Sequence, residues 1–577
     1  MPTKLKVYTN EDDALLFWRV DKPIQDCRGF AIERKIKKMG QQETTQDFLA
    51  NRTGFADQKP TGTAKAGQAA VLKPSTEWPF QRFSWTDHDA NTGDTVAYRV
   101  IPVLRKAVKL QLDENEASVF SAAVTLGANK GGMFQPFFNR GFVMSQFMAR
   151  FLKEKKLTLK QFKDSISAAD DKTIRLFLSG DLRKALLDQL ETASRENAEV
   201  FAALFELSDS ELIAALAKLG KKAHVVLANG SITPKTGEGS ANARKRDENE
   251  KARAKLIQAK VDVEEENRFI SPGALGHNKF LVRCNPAGKP VVAWTGSTNW
   301  APTGLCTQVN NGILINDAKV AQIYRDQWDR LRAAGSEFPP ALVASNSKPK
   351  VVQNGGVKTT IWFTRTTGKV DLAALDAAVM QAKQGVLFLM FMPGSAGLFN
   401  TVSKLVNDPK LYVRGVVSTL PNSRGDESSV EVSLVDEQNH TPMHLDIIQP
   451  QGIAHPFANF AEEVVRKQFL SQVGHAIIHS KIVVVDPFSS NPIVITGSHN
   501  FSMSASASND ENFVIVEGDK DLAEAYAVNI EGAYAHYRFR AFLEQTNKPF
   551  NGLQDDDKWM APRLKAADRE LKFFNLP

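Results

Sequence analysis

Two segments of the chain repeat the same polar residues in the same order, and this repeat constrains the fold more than any other feature. The first segment reads His277-Asn278-Lys279 and is followed by Gly296-Ser297-Thr298-Asn299. The second reads His479-Ser480-Lys481 and is followed by Gly497-Ser498-His499-Asn500. The two Gly-Ser-x-Asn runs lie 201 residues apart. A repeat of this kind predicts two copies of one folding unit within a single chain.

Each copy offers the side chains that a phosphate group needs. Residues i and i+2 of a strand point to the same face, so the His and Lys of His-x-Lys project together. Gly-Ser-x-Asn follows the next apolar segment and places a hydroxyl and a carboxamide at a turn. With two copies face to face, the lysines neutralise phosphate charge, one imidazole attacks phosphorus and the other protonates the leaving oxygen. The predicted catalytic residues are His277, Lys279, Asn299, His479, Lys481 and Asn500, and the predicted substrate-binding hydroxyls are those of Ser297 and Ser498.

These motifs resemble those of the phospholipase D superfamily. The pattern of that family is His-x-Lys-x4-Asp followed by Gly-Ser-x-Asn, present twice in one chain or once in each half of a dimer. The resemblance covers about residues 133–545. It implies two α/β/α lobes related by a pseudo-twofold axis. It also implies phosphodiester cleavage through a phosphohistidine intermediate, without a metal ion or another cofactor.

The first copy departs from the family pattern at two positions. Cys284 stands where the family has Asp, whereas Asp486 is present in the second copy and is expected to be structural. The acidic residue that follows Gly-Ser-x-Asn is Glu511 in the second copy but Asn310 in the first. We expect Glu511 to be catalytic and Asn310 to contribute to substrate binding.

The resemblance also assigns different roles to the two histidines. In the family, the acid of one lobe orients the His of the other, so Glu511 is expected beside His277 and Asn310 beside His479. A carboxylate on one ring nitrogen raises the basicity of the other nitrogen. We therefore hypothesise that His277 is the nucleophile, and that His479 is the general acid and later the base that activates water. This asymmetry is similar to that of the tyrosyl-DNA phosphodiesterase branch.

Residues 1–127 are predicted to form a separate all-β domain. Short apolar runs such as Leu15–Val20 and Val119–Leu126 alternate with turn residues. Such spacing is typical of a β-sandwich. The segments Phe83–Asp87 and Thr95–Val100 resemble parts of a fibronectin-type-III module. We expect this sandwich to precede the two lobes.

Helical and strand-like segments alternate twice in the rest of the chain. This order predicts an α/β fold with a mostly parallel sheet. We assign the first lobe to residues 128–345 and the second to residues 346–577, with a connector at Ser345–Gly356. The predicted helices include Ser145–Lys155 and the highly charged segment Asn242–Lys260.

Length and composition exclude several classes of protein. The 577 residues correspond to about three to five structural units. Three cysteines are too few for a disulfide framework or a cysteine-rich zinc site. The longest apolar run, Val386–Met392, is far shorter than the roughly 18 residues of a membrane helix. The start of the chain has no apolar leader region, so we expect a soluble, cytoplasmic protein, with signal-independent export left open.

The sequence leaves three functions open. A nuclease is preferred, because 72 basic residues exceed 65 acidic ones and the segment Arg244–Lys255 is rich in Arg and Lys. A phospholipase D or phosphatidyl transferase is the alternative, based on the Phe-rich segment 133–147 and on Trp300 and Phe501 as an apolar lip. Packing is the favoured role of those phenylalanines. A non-catalytic phosphate-binding scaffold is the third possibility, and the oligomeric state and any protein partner of the sandwich stay open.

Overall fold

The computed structural model describes residues 2–576 except 52, 56–71, 128–131, 142–163, 165, 168–171, 392, 395, 407, 418–446, 449–477 and 547–551. The predicted helix Ser145–Lys155 lies outside these residues. The described part of the chain is a mixed α/β structure that begins with an all-strand segment.

The strands described before residue 127 pair into antiparallel sheets. One sheet has the order β1-β2-β7, a second has the order β10-β8-β3-β4 with β9 beside β8, and β5 pairs with β6. The strands are β1 (Lys4–Thr9), β2 (Ala14–Arg19), β3 (Cys27–Lys37), β4 (Thr45–Phe48), β5 (Ala50–Asn51), β6 (Lys73–Pro74), β7 (Ser84–Asp87), β8 (Thr95–Lys106), β9 (Lys109–Leu112) and β10 (Val124–Thr125).

The predicted strand Val119–Leu126 is wrong over most of its length, because only β10 forms there. The hydroxyl groups of Ser118 and Ser121 accept hydrogen bonds from the backbone N–H groups of Val100 and Tyr98 in β8. The same hydroxyls donate to the carbonyls of the next residues, Val119 and Ala122, and local serine bonds of this kind compete with a regular strand ladder.

The first lobe spans the next group of elements. Its strands are β11 (Phe134–Phe138), β12 (Val200–Leu204), β13 (Ala223–Leu227), β14 (Asp262–Val263), β15 (Lys279–Cys284), β16 (Pro290–Gly296) and β17 (Asn311–Ile315). Its helices are α1 (Lys172–Glu196), α2 (Ser210–Leu219), α3 (Ser240–Ala243), α4 (Glu250–Gln258), α5 (Pro302–Cys306), α6 (Ala318–Ala334) and α7 (Pro340–Asn346).

The second lobe follows with the same kinds of element. Its strands are β18 (Lys350–Asn354), β19 (Val357–Phe363), β20 (Gly385–Met390), β21 (Tyr412–Val417), β22 (Ile447–Ile448), β23 (Lys481–Val485), β24 (Ile493–Gly497) and β25 (Asn512–Glu517). Its helices are α8 (Val370–Val379), α9 (Leu398–Leu405), α10 (Met503–Ala507), α11 (Lys520–Thr546) and α12 (Met560–Phe573).

The two central sheets follow one strand order. The first runs β11-β17-β16-β15-β12-β13-β14, and the second runs β19-β25-β24-β23-β20-β21-β22 with β18 added at the edge. The prediction of a mostly parallel sheet is wrong, since only β12-β13-β14 and β20-β21-β22 are parallel. The short connections 285–289 and 486–492 join β15 to β16 and β23 to β24. Connections of this length permit only antiparallel pairing.

One core lies between the two central sheets. Alternate side chains of a strand point to opposite faces, and β12 and β20 divide their residues between an inner and an outer core. The inner core contains Phe201 and Ala203 of β12 with Leu387 and Leu389 of β20, whereas Val200, Ala202, Leu204, Val386, Phe388 and Met390 face the outer cores of their own lobes. The inner faces of the two lobes therefore pack together.

Polar bonds join the two sheets beside this core. The Thr295 hydroxyl donates to Asn512 Oδ1 (2.5 Å), and Asn311 Nδ2 donates to Thr496 Oγ1 (2.7 Å). Thr295 and Thr496 immediately precede the two Gly-Ser-x-Asn turns. The contact between the lobes therefore holds the two turns next to each other.

Two local predictions need correction. The charged segment Asn242–Lys260 forms two helices, α3 and α4, rather than one. The Asn249 carboxamide donates to the carbonyls of Phe205 and Ala228, which pulls the chain inward between these helices. The expected connector Ser345–Gly356 contains β18, which pairs with β19 at the sheet edge.

Part of the Phe-rich segment 133–147 forms β11 at the edge of the first sheet, and residues 142–147 lie outside the described part of the chain. Phe134, Phe137 and Phe138 are buried in β11, which confirms the packing interpretation for these three residues.

The end of the chain packs onto its beginning. Trp559 Nε1 donates to the carbonyl of Cys27 (3.0 Å), and the rings of Phe17 and Phe574 stack with centroids 3.8 Å apart. Residues assigned to the second lobe thus contact the N-terminal strands. The boundaries 1–127, 128–345 and 346–577 stay a prediction.

Candidate active site

Each predicted catalytic histidine is held in place by the opposite lobe. The backbone N–H of His277 donates to the carbonyl of Asp510, and that of His479 donates to the carbonyl of Val309, both at 2.9 Å. Both imidazoles are buried, with 4% exposure of each residue. The two histidines thus lie at the contact between lobes, immediately before β15 and β23.

The support behind the two imidazoles differs between the lobes. His277 Nδ1 lies 2.7 Å from Glu511 Oε2, and His479 Nδ1 lies 2.8 Å from Asn310 Oδ1. The Asn310 amide is oriented by a bond from its Nδ2 to the carbonyl of Gly304 (2.8 Å). Both partners are then hydrogen-bond acceptors, so each ring carries its proton on Nδ1 and turns Nε2 away from this support.

The two serines support these acceptors. Ser297 Oγ donates to Asn310 Oδ1 (2.7 Å), and Ser498 Oγ donates to Glu511 Oε2 (2.9 Å). Both serines are fully buried, and Asn310 is 1% exposed. These bonds engage the side chains of Ser297, Ser498 and Asn310 inside the protein, and their predicted role in substrate binding stays a prediction. Their polar groups are used inside the protein, because each Gly-Ser-x-Asn turn packs against the acceptor that supports the other lobe's histidine.

Each lysine lies between its histidine and an aromatic ring. Lys279 Nζ donates to the carbonyl of His277 (2.8 Å) and lies 4.8 Å from the centroid of Phe205. Lys481 makes the same bond to His479 and lies 4.7 Å from the centroid of Phe391. The two rings also contact their histidines, with centroids 4.8 Å apart in both lobes. Sequence reasoning missed both phenylalanines, although each follows an apolar strand directly.

Burial and nearby charge change the acid–base properties of these groups. Burial, followed by the charges of Lys279 and Lys481, lowers the pKa of both His277 and His479 well below the usual range. Burial lowers the pKa of Lys279 to about 7 and that of Lys481 well below its usual value. Burial raises the pKa of Glu511 to about 7. Both imidazoles are therefore neutral near pH 7 in the absence of an anion.

Glu206 is a further polar residue of the site that sequence reasoning missed. Its Oε2 accepts a bond from Asn299 Nδ2 (2.7 Å), and its charge acts on both Lys279 and Lys481. Burial raises the pKa of its carboxyl, and Lys279 opposes this effect. The only available signal was its position directly after the apolar strand β12 and Phe205.

The two asparagines of the Gly-Ser-x-Asn turns have different surroundings. Asn299 bonds to Glu206 through Nδ2, whereas the Oδ1 atoms of Asn299 and Asn500 are buried without a hydrogen-bond partner among the described residues. Buried amide oxygens of this kind usually bind a ligand or water. They are available to a group that enters between the lobes.

Comparison with known proteins agrees with this geometry. The family model described as the phospholipase D-like domain of cardiolipin synthase matches residues 186–332 and 425–533. The matched segments contain both His-x-Lys and both Gly-Ser-x-Asn motifs, and they belong to the phospholipase D superfamily. Members of this family act on phosphodiester bonds. No curated protein matches the chain.

Three solved structures of phospholipase D-like proteins are similar to the chain at low identity. Phosphatidylserine synthase of Haemophilus influenzae is 10% identical, with 69% of this chain and 93% of that one covered and a TM-score of 0.36. Nuc of Salmonella typhimurium is 15% identical, with 27% and 90% covered and a TM-score of 0.20. Yeast tyrosyl-DNA phosphodiesterase is 12% identical, with 56% and 84% covered and a TM-score of 0.29.

The residue after the phospholipase D-type His-x-Lys strand differs between the lobes. The Asp486 carboxylate accepts bonds from the backbone N–H groups of residues 383–385, which fixes the start of β20. Cys284 occupies the corresponding end of β15 and is buried, and burial raises the pKa of its thiol to about 11. Asp486 thus has the position and contacts of a structural residue, and Cys284 has those of a small apolar one.

Two features of the described residues bear on metal and membrane binding. No group of three or more His, Cys, Asp or Glu side chains is arranged to hold a metal ion within the described ranges. Over the same part of the chain, every helix is too short or too polar to cross a membrane.

Proposed function

We propose that this protein is a phosphodiesterase that works through a phosphohistidine intermediate, with His277 as the nucleophile and His479 as the general acid. The observation that supports these roles is that a carboxylate supports one imidazole and a neutral amide supports the other. A carboxylate beside Nδ1 stabilises positive charge on the ring as Nε2 forms a bond. Of the two imidazoles, Glu511 contacts that of His277 and not that of His479. The neutral amide of Asn310 leaves His479 more acidic once it is protonated.

The reaction then proceeds in two displacements. His277 Nε2 attacks phosphorus, the bond from phosphorus to the leaving oxygen breaks, and His479 Nε2 gives its proton to that oxygen. Water next gives a proton to His479 and attacks phosphorus, and the electron pair of the P–N bond returns to His277. Substrate charge opposes the field of Lys279 and Lys481, so binding favours the protonated form of His479 that the first step needs.

A nucleic acid is the proposed substrate. The net charge of +7 favours a polyanion. The lipid alternative depends on an apolar lip at Trp300 and Phe501, and both side chains are fully buried. The phenylalanines of β11 are buried as well, so the apolar surface expected for contact with lipid is missing at these positions.

The substrate is tested by assaying nucleic acids and phospholipids side by side. Purified protein is incubated in excess EDTA with labelled single-stranded DNA, double-stranded DNA, RNA and mixed phospholipid vesicles. We expect cleavage of nucleic acid. Release from vesicles alone would contradict the nucleic-acid assignment and favour the phospholipase or transferase. The absence of cleavage of every substrate would favour the phosphate-binding scaffold.

The histidine roles are tested by trapping the intermediate. Rapid quench in alkaline detergent and mass spectrometry at neutral to basic pH, which preserve the acid-labile P–N bond, are expected to find the phosphoryl adduct on His277 and to lose it in His277→Ala. An adduct on His479 would reverse the two roles. His224→Gln is the matched control, because His224 pairs with Asp262 on the far part of the first sheet and lies outside the site.

A further inference from the structure

Two guanidinium groups from different lobes lie on one aromatic ring beside the site. The Arg365 guanidinium carbon is 3.4 Å from the ring centroid of Phe338, and that of Arg268 is 4.6 Å away. Arg268 is neutralised by Asp510 through a bond of 2.8 Å. Arg365 is half-buried, donates from Nε to the carbonyl of Ser508, and has no carboxylate partner among the described residues. Its remaining N–H groups are available to an anion.

A third arginine lies close to this pair. The carbonyl of Arg244 accepts a bond from Asn229 Nδ2, which also donates to the carbonyl of Ser271. These bonds hold the exposed Arg244 next to the segment that carries Arg268. Burial, together with the positive charges of Arg268 and Arg244, lowers the pKa of Arg365 against the opposing effect of Asp510. The positive charge of Arg244 therefore adds to that of Arg268 at Arg365.

This arginine cluster (Arg244, Arg268 and Arg365) is joined directly to the catalytic residues. Asp510, which binds Arg268, also accepts the backbone N–H of His277 through its carbonyl. A Cβ atom placed on Gly276 would lie 3.7 Å from the Cβ of Arg268. Ser508, which anchors Arg365, lies three residues before Glu511. The cluster thus borders the His277 side of the site.

Arg365 and Arg244 have no carboxylate partner among the described residues, and like charges held in this way favour an anion beside them. The two lysines and two histidines already account for the scissile phosphate. A second anion on the same substrate fits a polynucleotide strand, which carries a phosphate at every nucleotide, better than a simple phospholipid diester, which carries one. We propose that Arg365 and Arg244 form a second phosphate subsite that holds the neighbouring phosphate of a nucleic-acid strand. This proposal rests on the phosphodiesterase function proposed above.

The test compares a substrate with one phosphate and a substrate with many. Thymidine 5′-(4-nitrophenyl) phosphate reports the chemical step alone, and a single-stranded oligonucleotide reports both subsites. We expect Arg244→Ala and Arg365→Gln each to lower kcat/KM for the oligonucleotide by about tenfold through KM, with the small diester unchanged. The slope of log kcat/KM against log salt is expected to become shallower by about 0.7 per variant. Arg365→Lys is expected to restore part of the loss.

A control variant and the comparison of substrates separate a subsite effect from a general loss of charge or activity. Arg195→Ala removes the same charge from an exposed position on α1 and is expected to change neither substrate. Equal losses on both substrates, or no loss on the oligonucleotide, would overturn the subsite. Loss confined to anionic phospholipid vesicles would assign the arginines to a membrane surface instead.

A failure of the proposed function has a different signature. If the unmodified protein cleaves neither substrate, the phosphodiesterase proposal fails. The subsite is then judged by oligonucleotide binding in fluorescence anisotropy with the same variants. Unchanged binding in both Arg244→Ala and Arg365→Gln would overturn it, and weaker binding that depends less on salt would support it.

Discussion

At the scale of single residues, the two halves of the site differ in the charge of the group that supports each imidazole. Each imidazole has a lysine and a phenylalanine beside it at nearly equal distances. Behind His277 is a carboxylate oxygen, and behind His479 is an amide oxygen. The charge on that oxygen decides which ring is the better nucleophile, because it is the main difference between two otherwise similar surroundings.

The carboxylate of Glu511 is therefore expected to control nucleophilic attack. We expect Glu511→Gln to slow adduct formation by about 10²–10⁴-fold, because the amide accepts the Nδ1 proton without stabilising positive charge. The measurement is single-turnover quench-flow with saturating substrate. Glu517→Gln, at the far end of the strand that Glu511 precedes and paired with Lys358, is the matched control. An unchanged rate in Glu511→Gln would contradict the assignment of His277 as the nucleophile.

The buried lysines predict how anion binding depends on pH. Lys279, with a pKa of about 7, is charged below that pH and loses its proton as pH rises. A bound anion raises the pKa of both lysines, so binding takes up protons above pH 7. We expect the affinity for tungstate, measured calorimetrically, to weaken as pH rises from 6.5 to about 9. Constant affinity over this range would show that the lysines do not titrate there.

At the scale of elements, the strands that carry the histidines depend on how their ends are fixed. Asp486 ties the end of β23 to the start of β20 by accepting bonds from residues 383–385. Cys284 lies at the corresponding position of the first lobe, and its backbone N–H donates to the carbonyl of Glu199, directly before β12. One family position therefore serves both lobes through different contacts.

This difference predicts unequal losses of stability. Asp486→Ala is expected to reduce the free energy of unfolding by about 3 kcal/mol, since three backbone N–H groups, that of the buried Gly385 among them, lose their charged acceptor. Cys284→Ala is expected to cost about 1 kcal/mol, because it removes only a small apolar group. Urea denaturation followed by tryptophan fluorescence measures both. Equal effects would contradict a structural role specific to Asp486.

At the scale of the whole molecule, segments that are distant in the sequence pack into shared cores. The inner core is shared by both lobes, and the last helix contacts the first strands. Trp559 is 2% exposed, and it donates to Cys27 and packs against Phe30 and Phe83. The two ends of the chain are therefore expected to unfold together.

Removal of this tryptophan tests that expectation. Trp559→Ala is expected to destabilise the N-terminal strands by about 3–5 kcal/mol, because a large buried ring is lost. Lys558→Ala, at the exposed neighbouring residue, is the control. Hydrogen exchange is expected to show faster exchange in β2 and β3 for Trp559→Ala only. Unchanged exchange there would mean that the two ends are independent.

The sequence alone determined the composition of the site. The spacing of His-x-Lys and Gly-Ser-x-Asn predicted the paired motifs, and Glu511 and Asn310 were identified as the residues that differ between them. The apolar run Leu15–Val20 predicts a strand, and β2 (Ala14–Arg19) forms there, because short apolar runs have a strong local signal.

Only the tertiary structure decided how these groups are used. It oriented Ser297 and Ser498 onto internal acceptors, brought the two phenylalanines to the lysines and Glu206 to Asn299, and placed Arg268 and Arg365 on the ring of Phe338. It also made the sheets mainly antiparallel and buried Trp300 and Phe501. The physical reason is that local sequence sets strand and turn preference. The partner of a polar side chain, by contrast, depends on which distant segment packs against it.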